Sequence, residues 1–277
     1  MITHRKLAIM QGRLLPPVDG RIQAFPREQW EQEFPRAAAA GLGAIEWIYD
    51  TYGLGANPIE TAEGVTRIGS LSREHQVAVR SICADYFMDF AFVRSTDAER
   101  AVRLAHLEWL LEQAKVLGVT RIVLPFVDQS AIRDGDDREA VLDSLRRALP
   151  AAQAAGVELH LETSLAPGEF ALLLACLPHP LIKVNYDSGN SSALGYKPAD
   201  EFAAYGARVG SVHIKDRICN GGTMPLRQGD ADLDAVFACL DRLNYAGDIV
   251  LQVARGTAGD EIAWARCNRA FVEGYFN

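Results

Sequence analysis

The sequence of 277 residues predicts a single α/β domain, a (β/α)8 barrel that spans residues 1–277. Eight short apolar runs rich in β-branched residues recur from one end to the other, and segments with helical periodicity separate them. Strands that helices cover on both faces have this nearly continuous apolar character. No linker, low-complexity tract or block of like charge divides the chain. Eight uninterrupted strand–helix units favour a closed barrel over an open sheet.

The eight predicted strands have the length that is usual in globular proteins. They are LAIMQGR (7–13), AIEWIYD (44–50), VAVRSICADY (77–86), RIVLPFVDQ (121–129), VELHLET (157–163), IKVNYDSG (182–189), VGSVHIKDR (209–217) and DIVLQVAR (248–255). The first ends in Gln11-Gly12-Arg13, whereas an open sheet that binds a dinucleotide begins with a Gly-x-Gly-x-x-Gly turn. This difference is a further reason to expect a barrel.

Capping residues mark the ends of the predicted helices. Thr96 and Glu99 have the spacing of a capping box. Asp230 is placed to cap a helix that carries apolar residues at helical spacing from Leu233 to Leu240. Glycines stand between a helix and the next strand at three places, where a left-handed residue ends the helix. They are Gly41, Gly118 and Gly156.

Composition and charge indicate which partners the protein is expected to lack and in which compartment it is expected to lie. The net charge of −8 and the pI of about 5.3 argue against nucleic acid and against an anionic membrane, because both require a basic face. The first residues have neither the apolar length nor the cleavage site of a signal peptide, and no apolar run reaches the length of a membrane span. The five cysteines are scattered without a CxxC pair, so we expect reduced thiols in a cytoplasmic protein.

Polar residues at the ends of the later strands predict a metal site. In a (β/α)8 barrel the active site lies at the carboxyl ends of the strands. Glu162, Asp187 and His213 emerge from apolar runs near the ends of strands five, six and seven, and they would converge near the barrel axis. Two buried carboxylates that lie close together repel each other unless a cation lies between them. We therefore expect one divalent metal ion, with the carboxamide oxygen of Gln252 on strand eight as a fourth ligand.

The predicted ligand set is rich in oxygen and contains one nitrogen. Such a set suits Mn²⁺, and Co²⁺, Mg²⁺ and Zn²⁺ are alternatives. Other polar residues at strand ends are candidates for substrate binding. They are Glu46, Asp85, Asn190, Asp216, Arg217 and Arg255. Glu46 and Asp85 could instead support the metal ligands. The cationic members, together with Lys215, could hold a phosphate, sugar hydroxyls or a carboxylate.

Four segments resemble one known family. LHLETS (159–164), NYDSGNSSALGY (185–196), SVHIKDR (211–217) and LQVARG (251–256) are similar to the sugar-phosphate isomerase/epimerase group of the xylose-isomerase-like TIM barrels. The resemblance implies a metal held by a glutamate, an aspartate, a histidine and a second glutamate on strands five to eight. Here the last position is Gln252, which can offer an oxygen to a metal but cannot accept a proton. The resemblance also implies a homodimer or homotetramer.

The family's chemistry is the removal of a proton next to a carbonyl of a sugar or sugar phosphate. The resemblance implies that the metal polarises the carbonyl and that Glu162 removes the proton. Isomerisation needs one base, whereas epimerisation needs a second acid, for which His160, Lys215 and Asp216 are candidates. We therefore expect a sugar isomerase or epimerase. There are two alternatives. One is an inosose-dehydratase-like lyase, and the other is a non-catalytic protein that binds metal and sugar, in which Gln252 has ended turnover.

Overall fold

The computed structural model describes residues 7–276, which contain a closed barrel of eight parallel strands. The strands are β1 (Leu7–Met10), β2 (Ala44–Ile48), β3 (Ala78–Cys83), β4 (Arg121–Phe126), β5 (Glu158–Thr163), β6 (Ile182–Asp187), β7 (Val209–Ile214), β8 (Asp216–Arg217), β9 (Thr223–Met224) and β10 (Ile249–Leu251). β1 to β7 follow one another around the barrel, and β10 closes it between β7 and β1. The short strands β8 and β9 form a separate antiparallel pair.

The helices follow the barrel strands one at a time, except that two follow β3 and two follow β6. They are α1 (Glu33–Ala40), α2 (Ala62–His75), α3 (Tyr86–Asp89), α4 (Asp97–Leu117), α5 (Gly135–Ala155), α6 (Pro167–Ala175), α7 (Ser188–Ala193), α8 (Pro198–Tyr205), α9 (Leu233–Arg242) and α10 (Glu261–Glu273). The predicted (β/α)8 barrel is therefore confirmed, and each predicted apolar run contains one barrel strand. The single-domain boundary at 1–277 includes terminal residues outside the described range and stays a prediction.

The barrel strands are buried because they have helices on one face and packed side chains on the other. All six residues of β4 are buried, for example, although the strand begins with Arg121. Asp248 neutralises this guanidinium at 2.8 Å and also pairs with Arg80 at 2.9 Å. A buried charge needs such a partner. The ion pairs lie where β3 and β4 begin and where β10 is about to begin, at the end of the barrel away from the predicted site.

The predicted helix ends are confirmed with one exception. Thr96 and Glu99 form the capping box of α4, and the residues that end α1, α4 and α5 are the left-handed glycines Gly41, Gly118 and Gly156. The prediction for α9 was wrong, because Asp232 rather than Asp230 caps it through the amide of Ala235. Asp230 instead accepts a hydrogen bond from the Cys219 amide at 2.7 Å, so its carboxylate holds the loop after β8.

The long segment after β1 lies at the mouth of the barrel, and we call residues 14–29 the strap. The guanidinium groups of Arg13 and Arg255 both donate to the carbonyl oxygen of Ile22. Arg255 also donates to the carbonyls of Gly12 and Leu15 at 2.9 Å each. These bonds join the strap to β1 and to the segment after β10.

Two expectations about compartment can be compared with the described residues. Between residues 7 and 276 no helix has both the length and the apolar character needed to cross a bilayer. The five cysteines, all within this range, form no disulfide.

Candidate metal centre and substrate cavity

A cavity of about 310 Å³ opens at the carboxyl ends of the strands. Side chains from several different strands or the loops after them line it, as expected for a (β/α)8 barrel. The polar lining residues include Arg13, Gln23, Asp85, Glu162, Lys215 and Arg217. Both signs of charge and several amide groups therefore face the same space.

Glu162, Asp187 and His213 come together beside this cavity, and Glu162 is the member of the group that lines it. One potential ligand atom from each lies within 4.8 Å of the other two. The three side chains belong to the adjacent strands β5, β6 and β7, and the pairing of Asp187 with His213 in the β6–β7 ladder sets two of them side by side. All three residues are buried. The group could hold a metal ion.

Two atoms of this group have unmet bonding capacity, which tests the fit of a cation. Among the described residues, no hydrogen bond reaches Oδ2 of Asp187 or Nδ1 of His213, although both atoms are buried. They lie 3.9 Å apart, and His213 Nδ1 lies 3.4 Å from Oε2 of Glu162. Burial is the main reason why the pKa of Asp187 is raised. Buried polar atoms without partners are rare in native proteins, and a divalent cation would satisfy both.

The carboxylate of Glu162 is held in place from two sides. The amide group of Asn185 donates to Oε2 at 2.7 Å, and that of Asn190 donates to Oε1 at 2.6 Å. Burial acts to raise the pKa of Glu162, but the interactions with His213, Lys215 and Asn185 outweigh it and the pKa is lowered. The carboxylate is therefore ionised at neutral pH and fixed in orientation.

A second carboxylate orients the imidazole of His213. Nε2 of His213 lies 2.6 Å from Oε1 of Glu46, which reaches across from β2 and is fully buried. An ionised Glu46 can only accept, so Nε2 carries the hydrogen and Nδ1 is directed at Glu162 and Asp187. A carboxylate behind a ligating histidine is a common feature of metal sites. The structure thus places Glu46 behind His213 and away from the cavity, as a supporting group.

We expect Glu46→Gln to weaken metal binding roughly 10–100-fold, because the amide can no longer act as the carboxylate partner of His213. Isothermal titration of the metal-free protein with Mn²⁺ measures this change. Glu158→Gln is the matched control, since Glu158 pairs with His160 at 2.8 Å in the same way but outside the cavity. Equal Mn²⁺ affinities for Glu46→Gln and the wild type would contradict the assignment.

Gln252 lines the cavity, but its carboxamide is occupied by two neighbours. Its Oε1 accepts from Nζ of Lys215 at 3.2 Å, and its Nε2 donates to Oε1 of Gln23 at 3.2 Å. Nζ of Lys215 also lies 3.8 Å from Oδ2 of Asp187. Gly189 allows this position of the lysine, because a Cβ there would lie 2.6 Å from Cγ of Lys215. The role of Gln252 as a fourth ligand stays a prediction.

Two further predicted substrate groups, Asn190 and Arg217, line the cavity together. Asn190 Oδ1 accepts from the guanidinium of Arg217 at 2.9 Å, while its amide donates to Glu162. The carbonyl of Gly221 accepts from Nε and Nη2 of Arg217, which fixes the plane of the guanidinium. Asn190 is held near Asp187 in space, because Oδ1 of Asp187 caps α7 by accepting hydrogen bonds from the backbone amides of Gly189 and Asn190.

Asp85 also lines the cavity, two residues beyond the end of β3. Its Oδ2 accepts from Nε2 of Gln23 at 2.6 Å, and its Oδ1 accepts from the thiol of Cys83 at 3.2 Å. Burial raises the pKa of Asp85 to about 6. The side chain is therefore a fixed carboxyl group that can be protonated near neutral pH.

Three predicted site residues lie outside the cavity. His160 is fully buried in the barrel, where its ring nitrogens lie 2.7 Å from Ser211 Oγ and 2.8 Å from Glu158. Asp216 accepts hydrogen bonds from the amides of Gly229 and Ala231, and Arg255 holds the strap. Their strand-end positions made them candidates, but each side chain serves the loops or the barrel interior. We carry none of them forward as a substrate or proton-transfer group.

Three cavity or support residues were given no role from the sequence. Gln23 lies on the strap, where no periodicity indicates which side chain turns inward. Arg13 ends the first apolar run and donates to Gln23 at 3.1 Å. Asn185 lies two residues before Asp187, so it shares the inward face of β6. This spacing is the one signal that could have identified a supporting residue.

The comparisons with known proteins agree with the barrel fold. The family model of the xylose isomerase-like TIM barrels matches residues 34–268. No curated protein matches the sequence. Among solved structures, the IolI protein with a bound zinc atom has a TM-score of 0.76 at 17% identity, over 98% of this chain and 99% of that one.

Two epimerases have the same fold, with a similar degree of structural similarity to this chain. D-psicose 3-epimerase with D-tagatose from Clostridium cellulolyticum H10 has a TM-score of 0.75 at 15% identity, over 98% of this chain and 99% of its own. The 3-keto-D-glucoside 4-epimerase YcjR from E. coli has a TM-score of 0.73 at 20% identity, over 98% and 100%. Such low identities show the fold alone, whereas the family model covers most of the sequence. The chain therefore belongs to the xylose isomerase-like TIM barrel family.

Proposed function

We propose that this protein is a metal-dependent isomerase or epimerase that removes a proton next to the carbonyl of a sugar or sugar phosphate. The observation that carries the proposal is the pair of buried atoms that no hydrogen bond reaches among the described residues, Asp187 Oδ2 and His213 Nδ1, beside the oriented carboxylate of Glu162. This group lies beside a cavity whose walls offer hydrogen-bond donors and acceptors. Metal, base and polar cavity are what such a reaction requires.

A polyhydroxylated substrate fits the character of the cavity. Its walls carry amide, carboxyl and guanidinium groups from Gln23, Asp85, Asn190 and Arg217. These groups suit hydroxyls at several carbons, and the cations could also hold a phosphate. The structural neighbours whose names include a ketose or ketoglucoside epimerase support the same class of substrate. An exchange experiment with a panel of sugars and sugar phosphates identifies which sugar is bound and whether it is phosphorylated.

Glu162, Asp187 and His213 would hold the metal. The oxygen-rich set with one imidazole favours Mn²⁺, with Co²⁺, Mg²⁺ and Zn²⁺ as alternatives. When bound, the ion supplies Lewis-acid polarisation of the carbonyl and offsets the negative charge of the enediolate. Gln252 would become a fourth ligand if its Oε1 contacted the ion in place of Nζ of Lys215.

The protein's own residues then carry out the proton transfer. Glu162 accepts the proton from the carbon next to the carbonyl, and the amides of Asn185 and Asn190 keep its carboxylate in one orientation. The ammonium group of Lys215, close to Gln252 and Asp187, donates to a substrate oxygen and offsets its developing charge. Arg21, Ile22 and Gln23 of the strap line the same cavity as the base.

Hydrogen exchange with solvent tests the proposal without knowledge of the product. The Mn²⁺-loaded protein is incubated in D₂O with ketoses, aldoses, 3-ketoglucosides, inososes and their phosphates, and the carbon-bound hydrogens are followed by NMR. We expect deuterium to enter next to the carbonyl of at least one sugar. Elimination of water from an inosose would indicate a lyase instead. Absence of exchange with every compound would contradict the proposal and favour a protein that binds metal and sugar without turnover.

Two attributes of this proposal rest on the sequence and the family. A homodimer or homotetramer stays a prediction, which light scattering of the purified protein checks. A cytoplasmic location stays a prediction as well.

A further inference from the structure

The catalytic base proposed above has a counterpart on the far side of one strand. Glu162 belongs to β5 and Asp85 follows β3, so β4 lies between them. Cys83 pairs with Val123 in the β3–β4 ladder, and Pro125, two residues further along β4, pairs with Glu162 in the β4–β5 ladder. Asp85 lies two residues beyond the Cys83–Val123 pair, where the backbone turns into α3, and its side chain lines the same cavity as Glu162.

The space between the two carboxyl groups suits a substrate carbon. Pro125 lines the cavity between them and presents only apolar atoms there. Adjacent strands are separated by about 4.8 Å, so the backbones that carry Asp85 and Glu162 lie about 10 Å apart. Asp85, Pro125 and Glu162 all line the same cavity, and Glu162 is close enough for its charge to raise the pKa of Asp85, so a substrate carbon held above Pro125 would lie between the two carboxyl groups. Such a carbon would have one carboxyl group on each face.

Asp85 is held in this position by a hydrogen-bond network that includes Gln252. The carboxamide of Gln23 donates to Asp85 at 2.6 Å, and its oxygen accepts from Arg13 at 3.1 Å and from Gln252 at 3.2 Å. An ionised Asp85 can only accept, so the NH₂ group of Gln23 must face it. The oxygen of Gln23 is then left to accept hydrogen bonds from its other neighbours. Gln252 must therefore be a donor towards Gln23, which a carboxylate at this position could not be.

The environment of Asp85 allows it to act both as an acid and as a base. Burial and, to a smaller extent, the charges of Asp50 and Glu162 raise its pKa, the hydrogen bonds from Gln23 and Cys83 lower it, and the net pKa is about 6. A group with a pKa near the working pH has both forms available.

We propose that Asp85 is the second proton-transfer group of a two-base epimerisation and works on the face of the substrate carbon opposite Glu162. This proposal rests on the proposed function and assigns the position of the missing acid. In one direction Glu162 takes the proton, and the electron pair of the broken C–H bond enters the enediolate. Protonated Asp85 then gives its proton to the other face of the same carbon, and that electron pair forms the new C–H bond. In the reverse direction the two residues exchange roles.

The proposal predicts complementary exchange defects in two variants. The substrates are the sugar for which the wild type shows exchange and its epimer. With these, Asp85→Asn should exchange the carbon-bound hydrogen with solvent only in the epimer whose hydrogen faces Glu162. Glu162→Gln should exchange only the other epimer. Both variants should lose net epimerisation by at least about 100-fold. Asp143→Asn, the same change on the exposed face of α5, is the control and should behave as the wild type.

Further measurements keep the test decisive if Asp85→Asn binds substrate poorly. Asp85→Ala should regain epimerisation when formate is added, because formate supplies a carboxyl group in the vacated volume. Isothermal titration compares the binding of the same sugar to each variant. Exchange of both epimers by Asp85→Asn, or of neither while sugar binding persists, would overturn the role of Asp85. Absence of exchange in the wild type would instead overturn the proposed function.

Discussion

Glu162→Gln should reduce net turnover about 10³-fold, within the usual range of 10²–10⁴ for loss of a general base. The amide cannot accept a proton, although its oxygen can still serve as a metal ligand. We therefore expect the variant to retain bound metal while net product formation is lost. Steady-state kinetics with the sugar found in the exchange panel gives the rate, and elemental analysis gives the metal content.

Glu158→Gln is a matched control for this change. Glu158 lies on β5 as well, but its side chain pairs with His160 outside the cavity. The control should keep both its turnover and its metal. If Glu162→Gln formed product at a rate within tenfold of the wild type, Glu162 would not be the base, and another group would have to remove the proton.

Removal of the metal should abolish turnover and lower the stability of the fold. A ligand at 100 times its dissociation constant stabilises the native state by about 2.7 kcal/mol. For a chain of 277 residues, with an unfolding entropy of about 2.1 cal/mol/K per residue, this corresponds to an increase in Tm of roughly 5 °C. Treatment with a chelator should therefore lower the Tm of the loaded protein by this amount and stop the reaction. Added Mn²⁺ should restore both properties, as measured by calorimetry and kinetics.

Asp187→Asn shows whether this response depends on the proposed site. The variant keeps Oδ1, which accepts from the amides of Gly189 and Asn190 and caps α7. It replaces the unpartnered Oδ2 with an NH₂ group, which cannot bind a cation. We expect α7 to remain folded and the Tm to be insensitive to Mn²⁺. A full metal-dependent increase in Tm in this variant would place the ion elsewhere.

The barrel could be predicted from the sequence because each of its strands is buried on both faces. This burial leaves a nearly continuous apolar run, and the runs at 44–50 and 182–189 each contain one barrel strand, β2 and β6. The ends of the runs were less informative. The predicted strand 77–86 continues beyond Cys83, where the chain leaves the ladder and begins α3. Apolar side chains continue past the last ladder bond, so composition does not show where a strand stops.

The metal ligands could be predicted for a related reason, whereas their supporting residues could not. Glu162, Asp187 and His213 stand out because a charged or imidazole side chain interrupts an apolar strand. Glu46 interrupts β2 in the same way, but its role depends on His213, which is 167 residues away in the sequence. Gln23 lies in a segment without periodicity, and only the closed barrel brings it to Asp85. Pairings of this kind are properties of the tertiary structure.

The carboxamide of Gln252 has a consequence for substitution at this position, since it is bonded to partners on both sides. A single change to glutamate would set a carboxylate against the carbonyl oxygen of Gln23. Rotation of Gln23 would relieve that contact, but it would turn the same oxygen towards Asp85 and the NH₂ group towards Arg13. Positions 23 and 252 are therefore coupled through this hydrogen-bond network, and we expect the effect of Gln252→Glu to depend on the residue at position 23.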